Sequence, residues 1–123
     1  MYTDRLMDHY RHPRNQGRLA APDLAAEEYN PLCGDRVIVE AQVEDGRIIE
    51  ARFSARGCAL CQGAASILTE TIQGRTLEEL RDLGQDEFLA ELQSEPRPAR
   101  LKCALLPWIA FRRAAYGEEV GLE

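Results

Sequence analysis

Apolar positions in the first residues recur at helical spacing. Leu6, Met7 and Tyr10 fall on one side of the stretch from 3 to 11, with Thr3 ahead as an N-cap and Pro13 behind as a stop. That pattern predicts a helix over 3–11. The next stretch, RNQGRLAAPDLAA, has no period and is punctuated by glycine and proline, so it reads as a loop. Residues 37 to 43, VIVEAQV, and 48 to 53, IIEARF, read as strands. EDGR lies between them, and its Asp45-Gly46 pair suits a tight hairpin because both residues tolerate positive φ. EEYN, just upstream, is a candidate third strand of the same sheet.

After Gly57 the period changes. QGAASILTETIQ, residues 62 to 73, places Ala65, Leu68 and Ile72 on one helical face, with Gly74 as the stop. Thr76 to Glu79 has the form of a capping box opening a short helix, and DEFLAELQ forms another, ended by SEPRP. Leu105, Trp108, Ile109, Arg112 and Ala115 mark a last helix. Proline fits the first turn of a helix, so Pro107 predicts a start near Ala104 and puts Cys103 at a helix N-terminus. Strands first and helices after them predict an α+β fold: a small antiparallel three-stranded sheet packed with several helices.

Composition narrows the function classes. A chain of 123 residues suits one domain, residues 1–123. No apolar run approaches the ~20 residues that span a bilayer, and no membrane role is expected. The start, MYTDRLMDHYRHPRN, has no apolar signal core, so a cytoplasmic, reducing location is expected. The net charge of −6 argues against nucleic acid as a partner, RPARLK being a local basic exception.

In a reducing compartment the four cysteines, at 33, 58, 61 and 103, point to metal or thiol chemistry before disulfides, with inert buried thiols as the alternative. Cys33 lies on a proline-led turn, NPLCGD, before the first long strand. Cys58 lies between hairpin and helix, and Cys103 precedes the last helix. Helix N-termini favour the thiolate, the form that binds metal or attacks sulfur. Asp35, two residues beyond Cys33, can reach the same metal or can simply shape a turn. Cys61 makes a lone CxxC with Cys58, a competing site without the second pair that structural zinc sites usually show. His9 and His12 are more cheaply explained by packing or exposure than by ligation.

NPLCGD followed by a hairpin, then GCA near the head of one helix and RLKCA near the head of the last, resembles the iron–sulfur cluster assembly scaffold family of IscU, SufU and the NifU N-terminal domain. DHYRHPRNQG, residues 8 to 17, is similar to that family's N-terminal segment. The resemblance implies the family's α+β fold and a single site shared by Cys33, Asp35, Cys58 and Cys103. Lys102 stands where IscU-type chains carry histidine, and EPRPARLK stands in place of their LPPVK chaperone-recognition stretch. Lysine there, with Arg100 three before the cysteine, looks like SufU, the zinc-dependent sulfur-transfer branch. The short segment between Cys58 and Cys103 looks like IscU. At Cys61 the family generally has serine or another small residue.

Three thiolates and a carboxylate suit tetrahedral zinc, and the same thiolates can hold a [2Fe–2S] cluster. The expected reaction is sulfur transfer, with Cys33 as the catalytic thiol taking persulfide sulfur from a pyridoxal-phosphate cysteine desulfurase and passing it to iron–sulfur assembly proteins. Arg100 and Lys102 are expected to help dock the acidic edge of a partner, or to be the solvated basic end of a loop. The rival readings are a scaffold on which a [2Fe–2S] cluster is built, and a thiol–disulfide protein using Cys58 and Cys61. The last lacks the βαβ context of thioredoxin-like motifs.

Overall fold

The computed structural model describes residues 3–32 and 34–117. In chain order the elements are helix α1 (Asp4–Arg11), strands β1 (Leu24–Asn30), β2 (Asp35–Glu44) and β3 (Arg47–Arg56), and helix α2 (Ala59–Ile72). There follow α3 (Leu77–Leu80), α4 (Gln85–Leu92), a 3-10 turn (Pro98–Arg100) and α5 (Leu101–Tyr116). The fold is α+β, as the sequence predicts.

Local chemistry explains several boundaries. The Thr3 hydroxyl accepts from the Leu6 N–H at 3.2 Å and opens α1. Thr76 and Glu79 form a reciprocal capping box at α3. Asp45 (φ 52°) and Gly46 (φ 76°) make the hairpin turn, with positive φ at both positions matching the twist of the flanking strands.

The sheet is antiparallel, in the order β1-β2-β3. Its inner face carries Val37, Val39, Ala41, Ala51 and Phe53, all buried. Over that face lie α5, against β1 and β2, and α2, against β3. The open edge of β3 is covered by two loop segments. Asn15 and Gly17 bond the Phe53 backbone at 3.0 and 2.8 Å, while Gly74 and Arg75 bond Ile48 at 2.7 and 2.9 Å. Among the described residues no helix is long and apolar enough to cross a membrane.

Four expectations need correction. β1 starts at Leu24, so the last residues assigned to the loop belong to the strand that contains EEYN. On α1 the buried residues are Leu6 and His9, whereas Tyr10 is exposed. Helix α2 starts at Ala59, three residues earlier than its periodicity suggests, and is buried on nearly every side, including Leu60, Cys61, Ala64 and Ile67. Such a helix shows no polar stripe from which its start could be read. Helix α5 starts at Leu101, and Pro107 lies inside it. The proline ring removes the donor to the Cys103 carbonyl, a defect costing about 3 kcal/mol in an exposed helix. Here the run from Cys103 to Phe111 is buried throughout, and that burial outweighs the lost bond. Cys103 still lies in the first turn, as its third residue.

His9 ties α1 to α2. Its Nδ1 lies 2.7 Å from the Ser66 hydroxyl, which also accepts the Arg14 N–H at 2.9 Å. Its Nε2 lies 3.4 Å from the Glu70 carboxylate. A carboxylate only accepts, so the neutral ring carries its proton on Nε2 and takes the Ser66 O–H at Nδ1. Burial holds the His9 pKa below its ordinary 6.5, and Arg14 adds to the depression, with Glu70 opposing it. The unfolded chain therefore protonates His9 before the folded one does. This contribution to stability is complete above 6.5 and is lost as pH falls from there towards the folded pKa. Urea melts of metal-free protein are expected to show a midpoint falling across that window. His9→Gln is expected to flatten the slope and to cost about 1 kcal/mol at neutral pH through the altered Ser66 bond.

Candidate metal centre

Alternation along β2 decides where Asp35 goes. As the first residue of the strand it shares the inner face with Val37 and Val39, and it is only 2% exposed. Cys58 is the N-cap of α2, in extended conformation (φ −72°, ψ 164°). The Asp35 carboxylate meets it twice: Oδ1 accepts the Cys58 backbone N–H at 3.0 Å, and Oδ2 accepts the Cys58 thiol at 3.3 Å. Cys103 is buried in the first turn of α5. One ligand atom from each of Asp35, Cys58 and Cys103 lies within 4.8 Å of the others. A strand start and two helix starts thus converge, and both thiols sit where helix dipoles favour negative charge.

Two residues outside the sequence-level set complete the site. Asn30, the buried last residue of β1, points its amide nitrogen at the Cys103 sulfur, 4.0 Å away. Its Oδ1 accepts the Leu32 N–H at 3.1 Å, and its backbone carbonyl accepts the Gly34 N–H at 2.8 Å. Asn30 thereby ties itself to both Leu32 and Gly34. Asparagine before proline is a turn-opening signal and could have flagged it. Gly57 (φ 148°) is the other: a Cβ there would lie 2.2 Å from Asp35 Oδ1, so glycine is what lets the carboxylate reach the Cys58 amide.

Burial pushes the Cys58 thiol up from its ordinary value, and the Asp35 carboxylate beside it pushes the same way. The nearby Cys61 N–H and Cys103 thiol act in the opposite direction. A proton shared between Cys58 and Asp35 is what a cation would displace. Ligands of a tetrahedral zinc stand about 3.5 Å from one another, and the 3.3 Å from thiol to carboxylate fits that spacing. Two sulfurs and one oxygen form a donor set suited to zinc, with a further position to be filled.

The remaining candidates divide. Cys33 lies outside the described residues. Cys61 is wholly buried in α2 and is not part of the three-residue cluster. His9 is packed between Ser66 and Glu70, and His12 is exposed. Arg100 and Lys102 are exposed at the head of α5, next to the buried Cys103. Gly57→Ala is expected to lower the thermal midpoint more than Gly74→Ala. Both positions have positive φ, but only Gly57 is crowded by another residue.

Residues 1–118 match the NifU-like N terminal domain. The chain is 35% identical to the iron–sulfur cluster assembly scaffold protein IscU of Azotobacter vinelandii, over 98% of both chains. It is 31% identical to the zinc-dependent sulfurtransferase SufU of Bacillus subtilis, over 98% of this chain and 93% of that one. In fold it resembles FiSufU from Fervidobacterium islandicum AW-1, with a TM-score of 0.81 at 23% identity, covering 93% of this chain and 96% of that one. With its motifs, its sheet and its converged cysteines accounted for, the chain belongs to the NifU-like N-terminal domain family of iron–sulfur cluster assembly scaffolds.

Proposed function

We propose that this chain accepts sulfur for iron–sulfur cluster assembly, holding zinc through Cys33, Asp35, Cys58 and Cys103. The observation that carries this reading is the convergence of Asp35, Cys58 and Cys103, from three separate elements, within 4.8 Å. One more thiolate makes a closed tetrahedral set, and Cys33, two residues before Asp35 in the sequence, is the candidate for it. When bound, zinc supplies an ionised thiolate shielded from oxidation. Asp35 provides a hard oxygen in place of a fourth sulfur, so ligands on its side exchange more readily.

The partner is a cysteine desulfurase bearing a persulfide. The Cys33 thiolate attacks the outer persulfide sulfur, the S–S bond breaks, and the desulfurase thiolate leaves. Cys33 then carries the persulfide to cluster assembly. Leu32, 84% exposed, offers an apolar contact directly beside Cys33, and exposed Arg100 and Lys102 offer positive charge at the head of α5.

A second reading, a scaffold for a [2Fe–2S] cluster on the same thiolates, is favoured by chain length. The alignment with SufU runs to 140 positions against 123 residues here, so that relative carries residues this chain lacks, while the alignment with IscU runs to 127. Metal content separates the two. Protein purified without added metal is expected to hold about one zinc per chain; iron with labile sulfide would favour the scaffold reading instead.

Sulfur acceptance is read by mass spectrometry after incubation with a cysteine desulfurase and free cysteine. The added sulfur is expected on Cys33, lost in Cys33→Ser and kept in Cys61→Ser. Asp35→Ala is expected to impair acceptance more than it lowers the thermal midpoint. Sulfur found on Cys58, Cys61 or Cys103 would overturn the assignment of the acceptor.

A further inference from the structure

Cys61 has no part in either reading, yet its position is chemically specific. It is the third residue of α2, and Cys58 is the N-cap of the same helix. The Cys61 backbone N–H lies close enough to the Cys58 sulfur to favour its thiolate. Helical side chains lean towards the N-terminus, so the Cys61 side chain leans towards Cys58. Cβ atoms three apart on a helix are about 5–6 Å from each other, and a disulfide needs about 3.5–4.5 Å. Closure therefore asks for a shift of roughly one ångström. The N-cap residue, outside the helical hydrogen bonds, can supply it. The Cys103 sulfur, on α5, also lies within 4.8 Å of the Cys58 sulfur, and which of the two thiols Cys58 joins is read from the oxidised peptides.

We propose that Cys58 and Cys61 form a redox-active dithiol that closes to a disulfide when the site holds no metal. Exposure sets the order of events. Cys61 is 0% exposed and out of reach of any oxidant, whereas Cys58 is half-buried. With a low-molecular-weight disulfide as oxidant, the Cys58 thiolate attacks one of its sulfurs, forming a mixed disulfide and releasing one thiol. Cys61 then loses its proton and attacks the Cys58 sulfur, releasing the second thiol. The two protein thiols give up two electrons and two protons, and the small disulfide is reduced to two thiols.

Closure takes Cys58 out of the metal centre, so oxidation and metal loading exclude each other. That mutual exclusion rests on the metal site proposed above, whereas the closure itself does not. The device would keep an empty site from scavenging metal under oxidising conditions, and a dithiol reductant would reopen it.

The test uses the full chain, stripped of metal, incubated with oxidised glutathione, alkylated and digested with trypsin. Cleavage after Arg56 and Arg75 leaves Cys58 and Cys61 in one peptide, 57–75, while Cys33 and Cys103 fall in 19–36 and 103–112. The expected product is peptide 57–75 lighter by two hydrogens and resistant to alkylation, with the other two peptides alkylated. In Cys61→Ala, checked for its native circular dichroism, Cys58 is expected to stop at the glutathione adduct. Cys61→Ser serves as a second variant should alanine disturb the core. Adding zinc alone beforehand is expected to slow closure about tenfold or more. Closure at an unchanged rate with zinc would support the dithiol and count against the zinc site. Cys58 joined to Cys103 or Cys33, or a Cys61→Ala protein that accumulates no adduct, would overturn the proposal.

Discussion

A buried carboxylate must be satisfied or it destabilises the fold, and Asp35 is satisfied by Cys58. One oxygen takes the backbone N–H at the head of α2 and the other takes the thiol of the same residue. This pair of bonds joins the start of β2 to the start of α2 and fixes the distance between the two elements that carry the site. Gly57 is glycine because the carboxylate occupies the space a side chain would need. Asn30, paired with Asp35 across the β1–β2 register, reaches the third member of the cluster, Cys103. Structural bonds and donor groups are thus the same atoms, and a cation entering the site would exchange a proton for itself within an existing frame.

The core is arranged to hold those three element ends together. α2 is buried almost all round because the sheet, α1 and α5 press on different sides of it. α5 is anchored along its length. The Trp108 indole donates to the Leu83 carbonyl at 2.8 Å, and the Arg112 guanidinium bonds the carbonyls of Leu80 and Arg81 while lying over the Tyr116 ring. With its far end held so firmly, α5 tolerates Pro107 in its interior, and Cys103 keeps its place although the proline withholds a backbone bond from its carbonyl.

The centre also sits at the rim of the core and not within it. Cys103 and Asp35 are buried and Cys58 is half-exposed, while Leu32 projects into solvent on the adjoining turn. Such a gradient suits a group that must be shielded at rest and reached by a partner on one side. Cys61 marks the inner limit of that gradient: three residues further along α2, a thiol is wholly buried in the core.

Sequence alone determined what short-range physics controls. The hairpin follows from the tolerance of Asp45 and Gly46 for positive φ, α3 from its capping box, and the strands from apolar patterning. The motif NPLCGD with GCA and RLKCA named the family because those residues stand in order along the chain. Tertiary structure decided the rest, since burial overrides local preference once neighbours press on an element. It set the start of α2, whose hidden surface leaves no polar stripe, and it carried α5 through Pro107. Whether Asp35 is a turn residue or part of a site was undecided at the level of local sequence, because both roles put aspartate beside glycine. The inward face of β2 and the approach of Cys58 and Cys103 settled where its carboxylate points. Cys61 was ambiguous for the same reason. A CxxC spacing says that two thiols can meet, and only the packing of α2 shows that one of them is sealed inside.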